Sequence, residues 1–269
     1  MTSFAGASVL ITGASSGIGR GLAQELCARG ARVGLLARRQ ELLVGLHQEL
    51  KAAGYRSAWA CADVVERESL HAALGRLADQ LEGCDIIIAN AGIGMRVPGH
   101  EHHLSSASID QYRVNLFGAL HTIDWALPRF LQQERGHICV VASLAGYVGL
   151  EQSAAYCGSK AALRVHTQSL RLDLKPKGIP VTTICPGYVD SKMTQNSSYP
   201  LPFLMKQGQA VERMANAIER DRGEVNFPWP VAFSARLGAF LPAGLTEATV
   251  RGQGPAVRGD SEVGGVSGE

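Results

Sequence analysis

Short, nearly all-apolar runs separated by longer stretches of helical periodicity are the feature that most limits what this chain can fold into. The runs cover residues 7–12, 32–37, 57–61, 85–89, 137–143, 180–185 and, more weakly, 224–227. Between them Ile18, Leu22 and Leu26 recur every fourth residue, as do Leu42, Leu46 and Leu50, so each set forms one apolar face of a helix. Leu116, Leu120, Ile123, Leu127 and Phe130 do the same over a longer stretch, and residues 154–175 form another, rich in alanine and leucine. A strand apolar on both faces must be covered on both faces, which a parallel sheet flanked by helices provides. The expected fold is α/β: a single doubly wound, mostly parallel seven-stranded sheet with helices on both faces.

The 269 residues suffice for one sizeable domain, and no composition shift divides them before residue 250. Residues 1–250 are therefore read as one domain. Residues 251–269 turn to glycine, serine and isolated charges without a periodic apolar set, and are read as a disordered tail. A net charge of +2 without a polybasic run gives no grip on a phosphate backbone, so no nucleic-acid partner is expected. No apolar run is long enough to cross a bilayer, and the start MTSFAGASVLITG lacks the charged opening and cleavage site of a signal peptide. The six cysteines have no paired spacing; they read as buried free thiols, and a cytoplasmic location follows.

The first run ends in Thr12-Gly13-Ala14-Ser15-Ser16-Gly17-Ile18-Gly19, and an amphipathic helix follows. Glycine belongs where a chain turns tightly and where backbone N–H groups must close on a pyrophosphate, and a helix N-terminus adds partial positive charge there. A glycine cluster alone also fits a plain turn; its place between a strand and a helix favours a dinucleotide site of Rossmann type. The residue after the second strand decides which dinucleotide. A carboxylate would accept from the ribose 2′-hydroxyl and repel a 2′-phosphate. This chain has Ala37-Arg38-Arg39 instead, two guanidinium forks suited to phosphate, and NADP is the expected cofactor.

The spacing TGxxxGxG, together with motifs in register further along, resembles the short-chain dehydrogenase/reductase family over about residues 5–230. The resemblance implies that Gly13, Ser15, Ser16, Gly17, Ile18 and Gly19 surround the cofactor phosphates. It implies that Asp63 and Val64 meet the adenine ring, and that Asn90, Ala91 and Gly92 line the cleft. Pro186 and Gly187, with Val189 just beyond, would stand near the nicotinamide.

Tyr156 and Lys160 lie four residues apart at the start of a helical stretch and so share a face. A tyrosine of ordinary pKa, about 10, is a poor base at neutral pH, and a neighbouring ammonium favours the phenolate. The pair is expected to form a proton-transferring group. In the resembling family a serine thirteen residues before the tyrosine binds the substrate oxygen, which implies Ser143. Asn115 matches the fourth catalytic position, a link from the lysine to solvent through water. Tyr156 and Lys160 also hold the cofactor ribose in the family. The implied reaction is hydride transfer between NADP and a carbonyl or alcohol, with a small molecule as substrate and a homo-oligomer, dimer or tetramer, as the assembly.

Loops 93–98, 144–152 and 188–209 follow strand ends on the cofactor side and are expected to choose the substrate. Met95, Leu144, Tyr147, Leu150, Tyr188, Met193, Tyr199, Phe203 and Met205 suggest an apolar pocket there; a closed lid packing on the domain is the plainer alternative. The cluster Gly99-His100-Glu101-His102-His103 is read as a solvated loop, and no metal is expected. Many family members end differently after the last strand. Here Pro228-Trp229-Pro230 leads into an apolar segment, 231–241, that could cap the pocket, mediate a dimer or touch a membrane surface. Two other functions stay open: a module that senses NADP without catalysis, and an epimerase or dehydratase, for which the stretch after Pro186 leaves little room.

Overall fold

The computed structural model describes residues 2–97, 105–195 and 201–250. Seven strands form one sheet: β1 Ser8–Thr12, β2 Arg32–Ala37, β3 Ser57–Cys61, β4 Ile86–Ala89, β5 His137–Val141, β6 Val181–Pro186 and β7 Glu224–Phe227. Every neighbouring pair is parallel, in the order β3-β2-β1-β4-β5-β6-β7. The chain thus winds outward from β1 in one direction and, after β3, from β4 in the other. The carboxyl ends of all seven strands point to one side, and the reversal between β1 and β4 opens a crevice there.

The connections are α1 Gly17–Ala28, α2 Gln40–Ala52, α3 Arg67–Gln80, α4 Ser106–Tyr112, α5 Gly118–Gln132, α6 Ala154–Leu174, the short α7 Lys192–Gln195 and α8 Gln207–Glu219; α9 Trp229–Gly238 and α10 Ala243–Val250 follow β7. Alternation within the strands sorts the core into two layers. Val9, Ile11, Ile86 and Ile88 meet Leu22, Leu26, Leu43, Leu46, Met214 and Ile218 of α1, α2 and α8. Leu10, Ile87, Ile138 and Val140 meet Leu74, Leu77, Ile123, Trp125, Phe130 and Leu163 of α3, α5 and α6. Each large side chain so enclosed contributes about 1.5–3 kcal/mol by leaving water. All six cysteines are free; Cys27, Cys84, Cys139, Cys157 and Cys185 are buried and Cys61 is half-buried. No helix among the described residues is long and apolar enough to cross a membrane.

Two boundaries differ from the sequence reading. The run expected to stay extended to residue 143 leaves the sheet after Val141, and Ser143 caps a 3-10 turn, Leu144–Gly146, by accepting from Ala145 N at 3.1 Å. The segment 231–241 is helical to Gly238. It starts at Trp229 with Pro230 in the first turn, where a missing N–H costs nothing. The tail 251–269 lies outside the described residues.

Candidate active site

A cleft of about 700 Å³ occupies the carboxyl ends of the strands. Its first wall is the turn after β1. Gly13 takes φ +70, and a Cβ there would lie 2.8 Å from Ala91 Cα. A Cβ on Gly19 would collide with the Gly13 carbonyl oxygen, so helix α1 seats directly on the turn. Asn90 Nδ2 donates to the carbonyls of Thr12 (2.9 Å) and Gly13 (3.3 Å). Thr12 Oγ1 in turn accepts from Asn90 N at 3.1 Å and Ala91 N at 3.3 Å. Thr12 therefore locks the glycine turn to residues 90–92, a role the sequence reading missed; its signal was a hydroxyl residue at the strand end directly before glycine. The first turn of α1 has no acidic residue, which leaves the positive end of its dipole facing the cleft.

Over this turn lies the end of β2. Arg39 Nη2 donates to Ser15 Oγ at 3.0 Å and Ser16 Oγ at 2.7 Å. Arg38 is more exposed and meets Asp63 Oδ2 at 3.4 Å. Two guanidinium groups and two hydroxyls thus cluster beside the glycine turn, donors suited to an anionic group of a dinucleotide. The positive-φ glycine turn, the helix N-terminus and this donor cluster together fit such a cofactor.

At the other end stand Ser143, Tyr156 and Lys160, all lining the cleft. Burial raises the Tyr156 pKa above its usual value, and a hydrogen bond with Ser143 opposes the rise. Burial brings Lys160, only 4 % exposed, down to about 8. Its Nζ donates to Val141 O at 2.9 Å. Loss of water acts on both groups and disfavours both charged forms, while the ammonium is engaged by a backbone carbonyl.

Asn115 is fully buried behind the cleft. It sits in a π-helical turn, Arg113–Phe117, between α4 and α5. Its Oδ1 accepts from Ile93 N at 2.8 Å, and its Nδ2 donates to Ile93 O at 2.9 Å and Ser159 Oγ at 3.2 Å. This side chain pairs with the backbone after β4 much as a strand neighbour would, at a widened turn of the kind often found at functional sites. A Cβ on Gly92 would lie 3.2 Å from Asn115 Oδ1 and 3.4 Å from Lys160 Nζ, so the two polar groups converge beside that glycine.

The other residues expected around the cofactor, namely Gly17, Ile18, Val64, Pro186, Gly187 and Val189, also line the cleft. Of the residues expected to choose the substrate, Leu144, Leu150, Tyr188 and Met193 line it. Tyr147 turns its hydroxyl to Glu224 and Asn226 on β7 instead, with Arg164 4.2 Å over its ring. Phe203 is exposed and Met205 is in the core, bridged to Val189. Met95 is not part of the lining, its N–H donating to Gln111 Oε1. Tyr199 and the His100–His103 cluster lie outside the described residues. Among those described, no three histidine, cysteine or acidic residues gather to hold a metal. Val231, Ser234, Ala235 and Gly238 on α9 also line it, as do Val148 and Leu150.

A family model described as short chain dehydrogenase matches residues 7–201. An uncharacterised oxidoreductase of Myxococcus xanthus is 40% identical over 247 residues, 90% of this chain and 95% of that protein. A 3-oxoacyl-[acyl-carrier protein] reductase from Brucella melitensis, solved with bound NAD, superposes with a TM-score of 0.73 at 26% identity, over 84% of this chain and 90% of that one. The actinorhodin polyketide ketoreductase, solved with NADPH, shares the fold with a TM-score of 0.77 at 24% identity, over 86% of this chain and 99% of that one.

Proposed function

The chain belongs to the short-chain dehydrogenase/reductase family, and from that premise we propose that it is an NADP-dependent reductase of a small-to-medium apolar ketone or aldehyde. The observation that carries the reading is the grouping of Ser143 and Tyr156 at a mainly apolar cleft whose other end holds Arg38 and Arg39. A nicotinamide dinucleotide, when bound, supplies the hydride.

Gly13, Gly17 and Gly19 let the backbone approach the pyrophosphate, and Arg39 with Ser15 and Ser16 takes the 2′-phosphate. Ser143 and Tyr156 hold the carbonyl oxygen of the substrate between two hydroxyls. The raised pKa of Tyr156 keeps its proton in place at neutral pH, which suits a group that gives a proton to a developing alkoxide. This direction, rather than alcohol oxidation, is the one favoured here. Lys160 places positive charge beside the reacting groups, and Asn115 positions the segment after β4 against which Lys160 lies. Six unpaired thiols fit a reducing, cytoplasmic setting, and exposed Phe117, Val165 and Leu172 fit an association of copies, dimer or tetramer.

The test follows nicotinamide absorbance with NADPH and with NADH against a panel of ketones and aldehydes. Activity with NADPH that is lost in Tyr156→Phe is the expected result. Arg39→Asp should shift preference toward NADH by about tenfold or more, since it exchanges an attractive charge for a repulsive one. A preference of the unaltered protein for NADH would overturn the cofactor assignment.

A further inference from the structure

Resting on the reductase reading, we infer that α9 is the substrate-selecting wall of the cleft. It receives one extended, uncharged apolar arm of the carbonyl compound, and Ala235 and Gly238 set how far that arm reaches.

Three observations meet at this helix. Val231, Ser234, Ala235 and Gly238 fall at i, i+3, i+4 and i+7, one helical face, and all four line the cleft that holds Tyr156. Val148 and Leu150 line the same cleft. At Gly238 an added Cβ would lie 3.3 Å from Val148 Cγ1, so α9 comes close to the segment after the 3-10 turn there. The small Ser234, Ala235 and Gly238, with the branched Val231, Val148 and Leu150, give a lining suited to a hydrocarbon chain or ring.

The slot also lacks a charge. The charged side chains lining the whole cleft, among the described residues, are Arg38, Arg39 and Asp63 at the cofactor end and Lys160 at the reacting end, where its ammonium donates to Val141 O. The one hydroxyl on this face of α9 is already engaged: Ser234 Oγ donates to Val231 O at 3.0 Å. A carboxylate or phosphate on the arm would lose its water without a partner, a cost an apolar arm avoids.

The wall is also anchored. Arg236, on the flank of α9, donates Nη2 to Glu224 Oε1 at 2.9 Å, and the Tyr147 hydroxyl donates to the same oxygen. Tyr147 ends the 3-10 turn that Ser143 opens, so α9 and the reacting serine are tied through one half-buried carboxylate on β7. The slot is thereby held at a set distance from the reacting carbon.

The test measures affinity by calorimetry and turnover with NADPH for a graded series of unbranched 2-ketones and for a matched ketone ending in a carboxylate. Affinity should rise along the uncharged series and then level off, with the carboxylate bound more weakly. In Ala235→Phe, and separately in Ser234→Leu, the long-to-short ratio of both affinity and kcat/KM should fall by about tenfold or more. Phe233→Ala, on the exposed outer face of α9, should leave the ratio where it was. An unchanged ratio in folded Ala235→Phe and Ser234→Leu, or tighter binding of the carboxylate, overturns the inference. Chain-length-dependent binding without any turnover would instead sink the reductase reading while supporting the role of α9.

Discussion

Lys160 keeps its ammonium only below a pKa of about 8, because its surroundings exclude water. Burial moves Tyr156 upward, away from that range. The reduction rate should therefore hold at neutral pH and fall as pH rises through about 8. In Lys160→Arg, whose charge persists beyond pH 12, the remaining activity should lose that alkaline limb. A limb that stays at the same pH in the variant would assign it elsewhere. The identities and spacing of Ser143, Tyr156, Lys160 and the glycines could be read from the chain, since local motifs carry them. The direction of the tyrosine shift could not, because burial is set by segments far away in sequence. Nor could the aim of Tyr147: its ring counts as apolar in any pattern, yet its hydroxyl is claimed by Glu224, 77 residues on.

Among elements, the strands and the long helices were legible because periods of two and of about four leave plain traces. The π turn at Asn115 was not: one extra residue in a turn barely disturbs the apolar rhythm of 116–130, and only the hydrogen bonds to Ile93 expose it. The apolar character of 231–241 was visible, while its orientation waited on which face met the cleft. The 3-10 turn Leu144–Gly146 packs hard on α6, and a Cβ on Gly146 would lie 2.9 Å from the Lys160 carbonyl. Gly146→Val should push the turn away from α6 and carry Ser143 off Tyr156. The expected result is a fall in kcat of about a hundredfold, from a displacement of order 1 Å, with cofactor affinity held within about threefold. Equal losses in both would indicate general unfolding instead.

For the molecule as a whole, the end of the sheet remote from the cleft carries its own titration. His137, at the start of β5, is held between Thr182 Oγ1 at 2.8 Å and Thr2 Oγ1 at 2.9 Å, with Asp221 3.6 Å away. Burial lowers its pKa from 6.5 to about 4, against the pull of Asp221. Between those values the unfolded chain takes a proton that the folded one refuses. Stability is thus fully present above pH 6.5 and declines toward pH 4, by about 3 kcal/mol in all. Denaturant midpoints measured across this range should show that slope, and His137→Asn should flatten it. The thiols make a different instrument of the same fold. Cys139 and Cys185 lie in adjacent central strands with no exposed surface, whereas Cys61 is partly open at the edge strand β3. Under native conditions an alkylating reagent should mark Cys61 through its partly open surface, slower than a free thiol because burial and Glu41 raise its pKa, and the two central sulfurs only as often as the sheet itself comes apart. The chain thus keeps two clocks, one for its margin and one for its centre, readable by mass spectrometry from the alkyl groups each sulfur has taken up.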